Sequence, residues 1–146
     1  MKPFTLRALT AADVPGVMAI ASLSFPKIWA EKDFYSFLEH NAKYAQGAID
    51  LQTGRLVGYF IGLNVAGDLD IISIATDPRY RRAGIADSLL REAQNASQIF
   101  RITLEVDVEN IPAYALYRKL GFEVAGIRKK YYEQTRDAYL MNWNKS

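Results

Sequence analysis

No cysteine occurs among the 146 residues of the chain. Disulfide bonds, thiolate metal sites and a cysteine nucleophile are therefore excluded, and the absence is compatible with a reducing compartment. The sequence has a single histidine, His40, late in a predicted helix, where a surface position is favoured over a catalytic role. We expect no metal centre.

Long hydrophobic runs are absent as well. No apolar segment reaches the ~20 residues that a membrane-spanning helix needs, and the start, MKPFTLRALTAADV, lacks the apolar stretch of a signal peptide. We therefore expect a cytoplasmic protein that binds no membrane. The formal net charge of +2 does not demand a nucleic-acid partner, and we expect none.

The composition is that of a globular protein, since 50% of the residues are hydrophobic and 23% are charged. No linker rich in Pro, Gly or Ser, no low-complexity tract and no internal repeat divides the sequence. We therefore expect one domain that covers residues 1–146.

The period of the hydrophobic pattern changes along the chain between 2 and 3.6 residues. These changes predict strands and helices in the order β-α-α-β-β-β-α-β-α-β-β. Thr10 and Asp13 indicate the start of the first helix, and Asn110 and Gly121 bound the last one. This order predicts an α/β protein of the α+β type, with a mixed sheet that carries helices on its faces.

The segment RRAGIA, residues 81–86, begins a predicted helix with two cations and three small residues. A helix N-terminus offers unpaired N–H groups and partial positive charge, so it favours anions. Small residues let the backbone approach a phosphate closely, and two arginines add charge. The alternative is a surface loop with solvated arginines; the segment is neither a Walker A loop nor G-x-G-x-x-G.

Two segments carry a resemblance to a known family. The pattern Arg/Gln-x-x-Gly-x-Gly/Ala is matched by Arg81, Gly84 and Ala86. The second pattern, N-x-x-A-x-x-L-Y-x-x-x-G-F, is matched from Asn110 to Phe122. Both resemble the GNAT acetyltransferases. Within that family the chain is similar to the RimI type, which acetylates the α-amine of a ribosomal protein. Four segments occur in the order expected for that type: FP near residue 25, EKDF at 31–34, LEV at 104–106 and IRKKYY at 127–132.

The resemblance implies a mixed, mostly antiparallel sheet of about seven strands with helices on both faces, and strands that splay at an acetyl-CoA site. It implies that acetyl-CoA is the co-substrate. The pantetheine arm would pair with the backbone of residues 74–76, and the pyrophosphate would bind the amides of residues 82–87. The implied cofactor-binding residues are Ile74, Ala75, Thr76, Arg81, Arg82, Ala83, Gly84, Ile85, Ala86, Asp87, Asn110 and Tyr117.

The resemblance also implies catalytic roles for Glu105 as general base and Tyr117 as general acid. The chemistry agrees: a carboxylate can accept a proton from the attacking amine, and a tyrosine with a pKa of about 10 can protonate the leaving thiolate. Burial would raise the low pKa of Glu105 towards neutrality. From the residues alone, however, Glu105 fits a polar residue on a half-exposed strand, Tyr117 fits core packing, and Asn110 fits an N-cap.

The acceptor site is expected to include Phe25, Trp29, Tyr131 and Tyr132. The expected partner is a protein N-terminus, with a ribosomal protein as one candidate. The basic run before the two tyrosines is interpreted as surface. Two alternatives stay open. One is a GNAT enzyme that acts on lysine side chains or a small amine, and the other is a CoA-binding module without catalysis.

Overall fold

The structure, a computed structural model, describes residues 3–129 and 136–146. The helices and strands follow the predicted order, with two short 3₁₀ helices, Ala11–Asp13 and Pro78–Tyr80, between them. Within the described residues, no helix has the length and apolar character needed to cross a membrane. The elements are β1 Phe4–Ala8, α1 Val14–Ser24, α2 Glu31–Leu38, β2 Lys43–Asp50, β3 Leu56–Val65, β4 Asp68–Thr76, α3 Ile85–Asn95, β5 Arg101–Asp107, α4 Ile111–Lys119, β6 Glu123–Arg128 and β7 Ala138–Asn144.

The seven strands form one sheet in the order β1-β2-β3-β4-β5-β7-β6. All neighbouring strands are antiparallel except β4 and β5, which are parallel. The predicted mixed, mostly antiparallel sheet is therefore confirmed. The parallel pair is the only one among the described strands that requires a crossover, and α3 supplies it.

Helices cover both faces of the sheet, so the central strand β3 is buried on both sides. Tyr59 and Ile61 belong to the core that packs under α1 and α2, whereas Phe60 belongs to the core under α3 and α4. Each of these three side chains is at most 2% exposed. Burying a large apolar side chain contributes roughly 1.5–3 kcal/mol, so these alternating residues hold the two helical layers to the central strand.

The caps of α4 are those that the sequence predicted. The side chain of Asn110 accepts a hydrogen bond from the backbone N–H of Ala113 at 3.3 Å. At the other end Gly121 has a φ of 93°, which favours glycine. Its N–H donates to the carbonyl of Arg118, and Phe122 N–H donates to the carbonyl of Tyr117. This is a Schellman arrangement, and it fixes where α4 ends.

Strands β4 and β5 separate shortly after they meet. They form three pairs, from Asp68 with Arg101 to Asp70 with Thr103. Directly afterwards β4 contains a bulge. On β3, Gly62 pairs with Ile71 and its neighbour Ile61 pairs with Ser73, so Ile72 of β4 is an extra residue without a partner in this register. A bulge bends its strand, so β4 turns away and a gap opens beside β5.

Candidate functional site

The gap between β4 and β5 is a cleft of about 540 Å³. Residues 71–74 form one wall and residues 104–107 form the other, and the cleft also reaches Asn110 and Tyr117 at α4. The predicted strand splay therefore exists. It brings a strand edge, a carboxylate and a phenol to one space, and these groups can bind an extended ligand and exchange protons with it.

Among the described residues, the edge of β4 that faces the cleft has no strand paired with it beyond Asp70. Ile74, Ala75 and Thr76 pair with β3 on one side. On the other side the β4–β5 ladder has already ended at Asp70. Alternate N–H and C=O groups of this edge are therefore available to a ligand that carries amides, as pantetheine does. The three residues lie where the sequence analysis placed them.

The N-terminus of α3 lies beyond the same strand and has unpaired donors. Within residues 3–129 and 136–146, the backbone N–H groups of residues 84–87 have no hydrogen-bond acceptor. Arg82 and Gly84 have φ values of 67° and 83°, so the loop before the helix turns through the left-handed region. Such a turn directs successive N–H groups towards one point, which suits an anion.

The side chains of RRAGIA divide into two groups. Ile85 is 1% exposed and packs in the core, which anchors the helix start. Ala83 and Ala86 are small and partly buried, while Arg81 and Arg82 are exposed. The segment therefore combines one core anchor with an open, positively charged backbone surface.

Asp87, in the first turn of α3, adds little negative charge to this surface. Its carboxylate lies 2.5 Å from Arg91 Nε and 3.2 Å from Lys119 Nζ. Burial acts to raise the pKa of Asp87, but the hydrogen bonds from the two cations outweigh it and the pKa is lowered. The charge is thus neutralised locally, and the field at the helix N-terminus stays favourable to an anion.

Replacing Gly84 with alanine should weaken binding of acetyl-CoA. No atom lies within 4 Å of an added Cβ, so the effect comes from the backbone, whose φ of 83° costs a non-glycine residue about 1–2 kcal/mol. We expect the KM for acetyl-CoA to rise about tenfold as the loop shifts to relieve this strain. Steady-state kinetics with acetyl-CoA varied would measure it.

Gly54→Ala is the matched control, since Gly54 has a φ of 74° and equally open surroundings in the turn between β2 and β3. It should lose similar stability with an unchanged KM. An equal rise in KM for both variants would contradict a phosphate-binding role for the Gly84 loop.

Glu105 lies on the polar face of β5, and its side chain is 46% exposed. Its Oε1 accepts a hydrogen bond from Arg128 Nε at 2.7 Å. The half-exposed strand position that the residues alone favoured for Glu105 is therefore confirmed, and the burial considered for a general base is not observed. Its apolar neighbours Leu104 and Val106 point into the core, and the alternation of the strand turns Glu105 the other way. Arg128, from β6, holds the carboxylate at the rim of the cleft.

Tyr117 is only 7% exposed and lines the cleft from α4. Burial raises the pKa of its phenol to about 12. Its ring packs on Phe122, with centroids 5.8 Å apart, so the residue belongs to the core and to the cleft at once. The two interpretations left open by the sequence are compatible, and the same holds for Asn110, which caps α4 and lines the cleft.

A second cavity, of about 910 Å³, adjoins the cleft. Phe25, Ser73, Asp107 and Arg136 line both spaces. Phe25 and Trp29, predicted for the acceptor site, both lie on its wall. Trp29 also packs against Phe34 and Phe37, at centroid distances of 5.2 and 5.8 Å. Tyr131 and Tyr132, the other two predicted residues, lie outside the described residues.

Sequence reasoning missed several residues of this cavity. Tyr59 and Ser73 are hydrogen-bonded to each other through their hydroxyl oxygens at 2.7 Å. Arg136 Nε binds the carboxylate of Asp107 at 2.6 Å, as Arg128 binds Glu105. The sequence did contain a signal for these ion pairs, because acidic residues alternate along β5 and basic residues flank the last strand pair. A predicted antiparallel sheet places that strand pair beside β5. Among the described residues, no group of three or more His, Asp or Glu side chains could hold a metal ion.

Comparison with known proteins agrees with this geometry. Residues 14–122 match the model of the Acetyltransferase (GNAT) family. An N-alpha-acetyltransferase of Saccharolobus solfataricus is 33% identical, over 96% of this chain and 92% of that protein. The [Ribosomal protein bS18]-alanine N-acetyltransferase of Escherichia coli is 31% identical, over 94% of this chain and 95% of that protein.

The fold agrees as well. The crystal structure of the ribosomal-protein-S18-alanine N-acetyltransferase from Escherichia coli superposes with a TM-score of 0.84, at 29% identity, over 99% of this chain and 95% of that chain. The chain therefore belongs to the GNAT family of acetyltransferases, enzymes that take an acetyl group from acetyl-CoA.

Proposed function

We propose that the chain acts as one domain that transfers acetyl from acetyl-CoA to the α-amine of a protein N-terminus, with a ribosomal protein as the model acceptor. The observation that carries the proposal is the junction of the two cavities. The β4–β5 cleft holds Glu105 and Tyr117, and it opens into a larger space with room for the end of a peptide. Relatives that acetylate N-termini support this choice, and the cytoplasmic location stays a prediction.

The donor would lie across the free edge of β4. Its pantetheine amides would pair with the backbone of residues 74–76, and its pyrophosphate would take the unpaired N–H groups at the start of α3, with Arg81 and Arg82 beside it. This orientation directs the thioester into the splay, towards Tyr117. The strand edge orients the arm and the helix N-terminus binds its charge, so the cofactor is held at two separate points.

The reaction needs two proton transfers. The neutral amine attacks the thioester carbon, an N–C bond forms, and the C–S bond breaks. An α-amine has a pKa of about 8, so about a tenth of it is neutral at pH 7. A lysine side chain has a pKa of about 10.4, and its neutral fraction at pH 7 is far smaller. Glu105, which Arg128 contacts at Oε1, accepts the proton from the amine directly or through one water. Tyr117 protonates the thiolate of CoA.

The charges around the acceptor cavity favour a protein N-terminus over a polyamine. Glu105 and Asp107 each have an arginine partner at 2.6–2.7 Å, and Asp137 lies 3.7 Å from Lys129. A polycation needs several carboxylates without cationic partners, whereas Glu105, Asp107 and Asp137 each have one. A single α-amine followed by a peptide needs one carboxylate and an apolar wall, which Phe25 and Trp29 provide.

An acceptor panel tests the proposal. Release of free CoA would be measured with short peptides that have free N-termini, with the same peptides N-blocked but carrying lysine, and with polyamines. We expect turnover only with free N-termini, because only they combine a neutral amine fraction at pH 7 with a peptide that fills the cavity. Turnover on lysine or polyamines would replace the proposed acceptor.

The non-catalytic alternative has its own outcome in the same panel. Acetyl-CoA binding without turnover on any acceptor would identify a binding module. We favour an enzyme because a module that only binds CoA has no use for a carboxylate and a buried phenol beside the thioester position. The first residues preferred among the peptides would then direct the search for the natural partner.

A further inference from the structure

A buried carboxylate lies close behind the start of α3. Asp50, at the end of β2, is 3% exposed. It accepts a hydrogen bond from the backbone N–H of Gln52 at 2.8 Å and another from the hydroxyl of Tyr80. A carboxylate removed from water is stable only when its oxygens accept such bonds. The bond from Tyr80 is the main cause that lowers the pKa of Asp50, so the group is a buried anion.

Tyr80 is the residue directly before Arg81 and Arg82. It ends the 3₁₀ helix Pro78–Tyr80, and its carbonyl accepts the N–H of Ala83 at 3.2 Å. The loop that carries the two arginines therefore starts from a tyrosine whose side chain is bonded to the sheet. After it the backbone enters the left-handed region at Arg82, a conformation that needs support from its surroundings.

The other end of the 3₁₀ helix is held separately. Asp77 N–H donates to the carbonyl of Val57 on β3 at 2.8 Å, and the Asp77 carboxylate accepts the N–H of Arg79 at 2.9 Å. Those bonds fix where the segment leaves β4. Within residues 3–129 and 136–146, the residues from Arg81 to Gly84 make no hydrogen bond to the sheet, so the Tyr80–Asp50 bond is the hydrogen bond to the sheet that lies nearest before the amides at the start of α3.

We propose that Tyr80 and Asp50 are positioning residues for the pyrophosphate of acetyl-CoA. Their hydrogen bond ties the loop of residues 81–84 to the end of β2 and so holds the N–H groups of α3 and the left-handed Arg82 in the geometry that receives the phosphates. A loop ordered before binding loses less entropy when the ligand arrives. The inference rests on the proposed binding of acetyl-CoA at this helix.

Tyr80→Phe tests it, since only the hydroxyl is removed and the ring stays. We expect the KM for acetyl-CoA to rise roughly tenfold to a hundredfold with little change in kcat, the range for the loss of one hydrogen bond to a charged group. The second donor is S-acetylpantetheine, which carries the thioester but no pyrophosphate. Its KM should be the same for the variant and the wild type.

Three further variants sharpen the result. Asp50→Asn has one oxygen for two donors, Gln52 N–H and the Tyr80 hydroxyl, so it should also raise the KM for acetyl-CoA and leave the KM for S-acetylpantetheine unchanged. The Tyr80→Phe/Asp50→Asn double variant should raise the KM by less than the product of the two single effects, because both changes act on the Tyr80–Asp50 bond. Tyr35→Phe removes a hydroxyl from an exposed tyrosine of α2 and should leave all constants unchanged. Thermal melts of each variant would verify folding.

Two outcomes would overturn the inference. One is an unchanged KM for acetyl-CoA in Tyr80→Phe, and the other is an equal rise for both donors, which would indicate a general structural defect. Failure of the proposed function looks different. In that case the wild type itself would fail to turn over acetyl-CoA or would use S-acetylpantetheine equally well, before any variant is compared.

Discussion

Tyr117→Phe should lower kcat by about a hundredfold or more and change the KM for acetyl-CoA by less than about twofold. The ring stays in place against Phe122, so the core and the wall of the cleft are preserved. Only the hydroxyl is lost, which we propose as the proton donor for the leaving thiolate. Rates would be measured with saturating acceptor peptide while acetyl-CoA is varied, and a thermal melt would check folding.

The pH dependence of kcat adds an independent check. Burial raises the pKa of Tyr117 to about 12. The phenol is therefore protonated, and competent as an acid, at every pH below about 12, and it loses its proton only above that value. The wild-type profile should show no decline from this group between pH 7 and 10. A decline in that window that disappears in Tyr117→Phe would contradict the raised pKa.

Tyr114→Phe is the matched control for this variant. Tyr114 lies on the same helix and packs on Tyr139, with ring centroids 5.1 Å apart, but it does not line the cleft. Its loss of a hydroxyl should leave kcat and KM near their wild-type values. If Tyr117→Phe weakened acetyl-CoA binding as much as it lowered kcat, Tyr117 would be a binding residue and its role as general acid would be wrong.

Glu105→Gln should lower kcat/KM by about tenfold to a hundredfold at pH 7, with a smaller deficit at pH 9. The amide cannot accept a proton, so the variant depends on amine that is already neutral. That fraction rises as the pH passes the α-amine pKa of about 8. The loss in kcat/KM is therefore largest at pH 7, where most of the amine is still protonated. The measurement is the pH–rate profile of both proteins on one N-terminal peptide.

Glu123→Gln is the control for the loss of a carboxylate, because Glu123 is exposed at the start of the edge strand β6. Its profile should match that of the wild type. A Glu105→Gln variant whose activity falls by the same factor at every pH would argue against a general base. It would instead indicate that the Glu105–Arg128 ion pair matters for the shape of the cleft.

Much of the fold follows from local patterns in the sequence. The alternation along β5, the cap at Asn110 and the glycine at residue 121 were sufficient to predict one strand and one helix with their ends. The two small residues that flank Ile85 predicted a helix start with accessible amides. Each of these features depends on residues within one or two turns of each other, and short-range sterics and hydrogen bonding decide them.

The long-range contacts were not predictable in this way. Glu105 was expected on a half-exposed strand, but its pairing with Arg128 was not predicted. The bulge at Ile72 that opens the cleft and the bond from Tyr80 to Asp50 also had no sequence signal that we recognised. These features depend on strand register and on residues far apart in the chain, and periodicity carries no information about either.

The chain's amino-acid pattern was thus enough to predict the order of its elements and a helix start with accessible amides, and its resemblance to the GNAT acetyltransferases added the candidate carboxylate and phenol. The assembled molecule decided how exposed each of them is and what it faces. The physical reason is that a side chain's protonation and reach are set by its neighbours in space. Those neighbours are known only once the strands have paired.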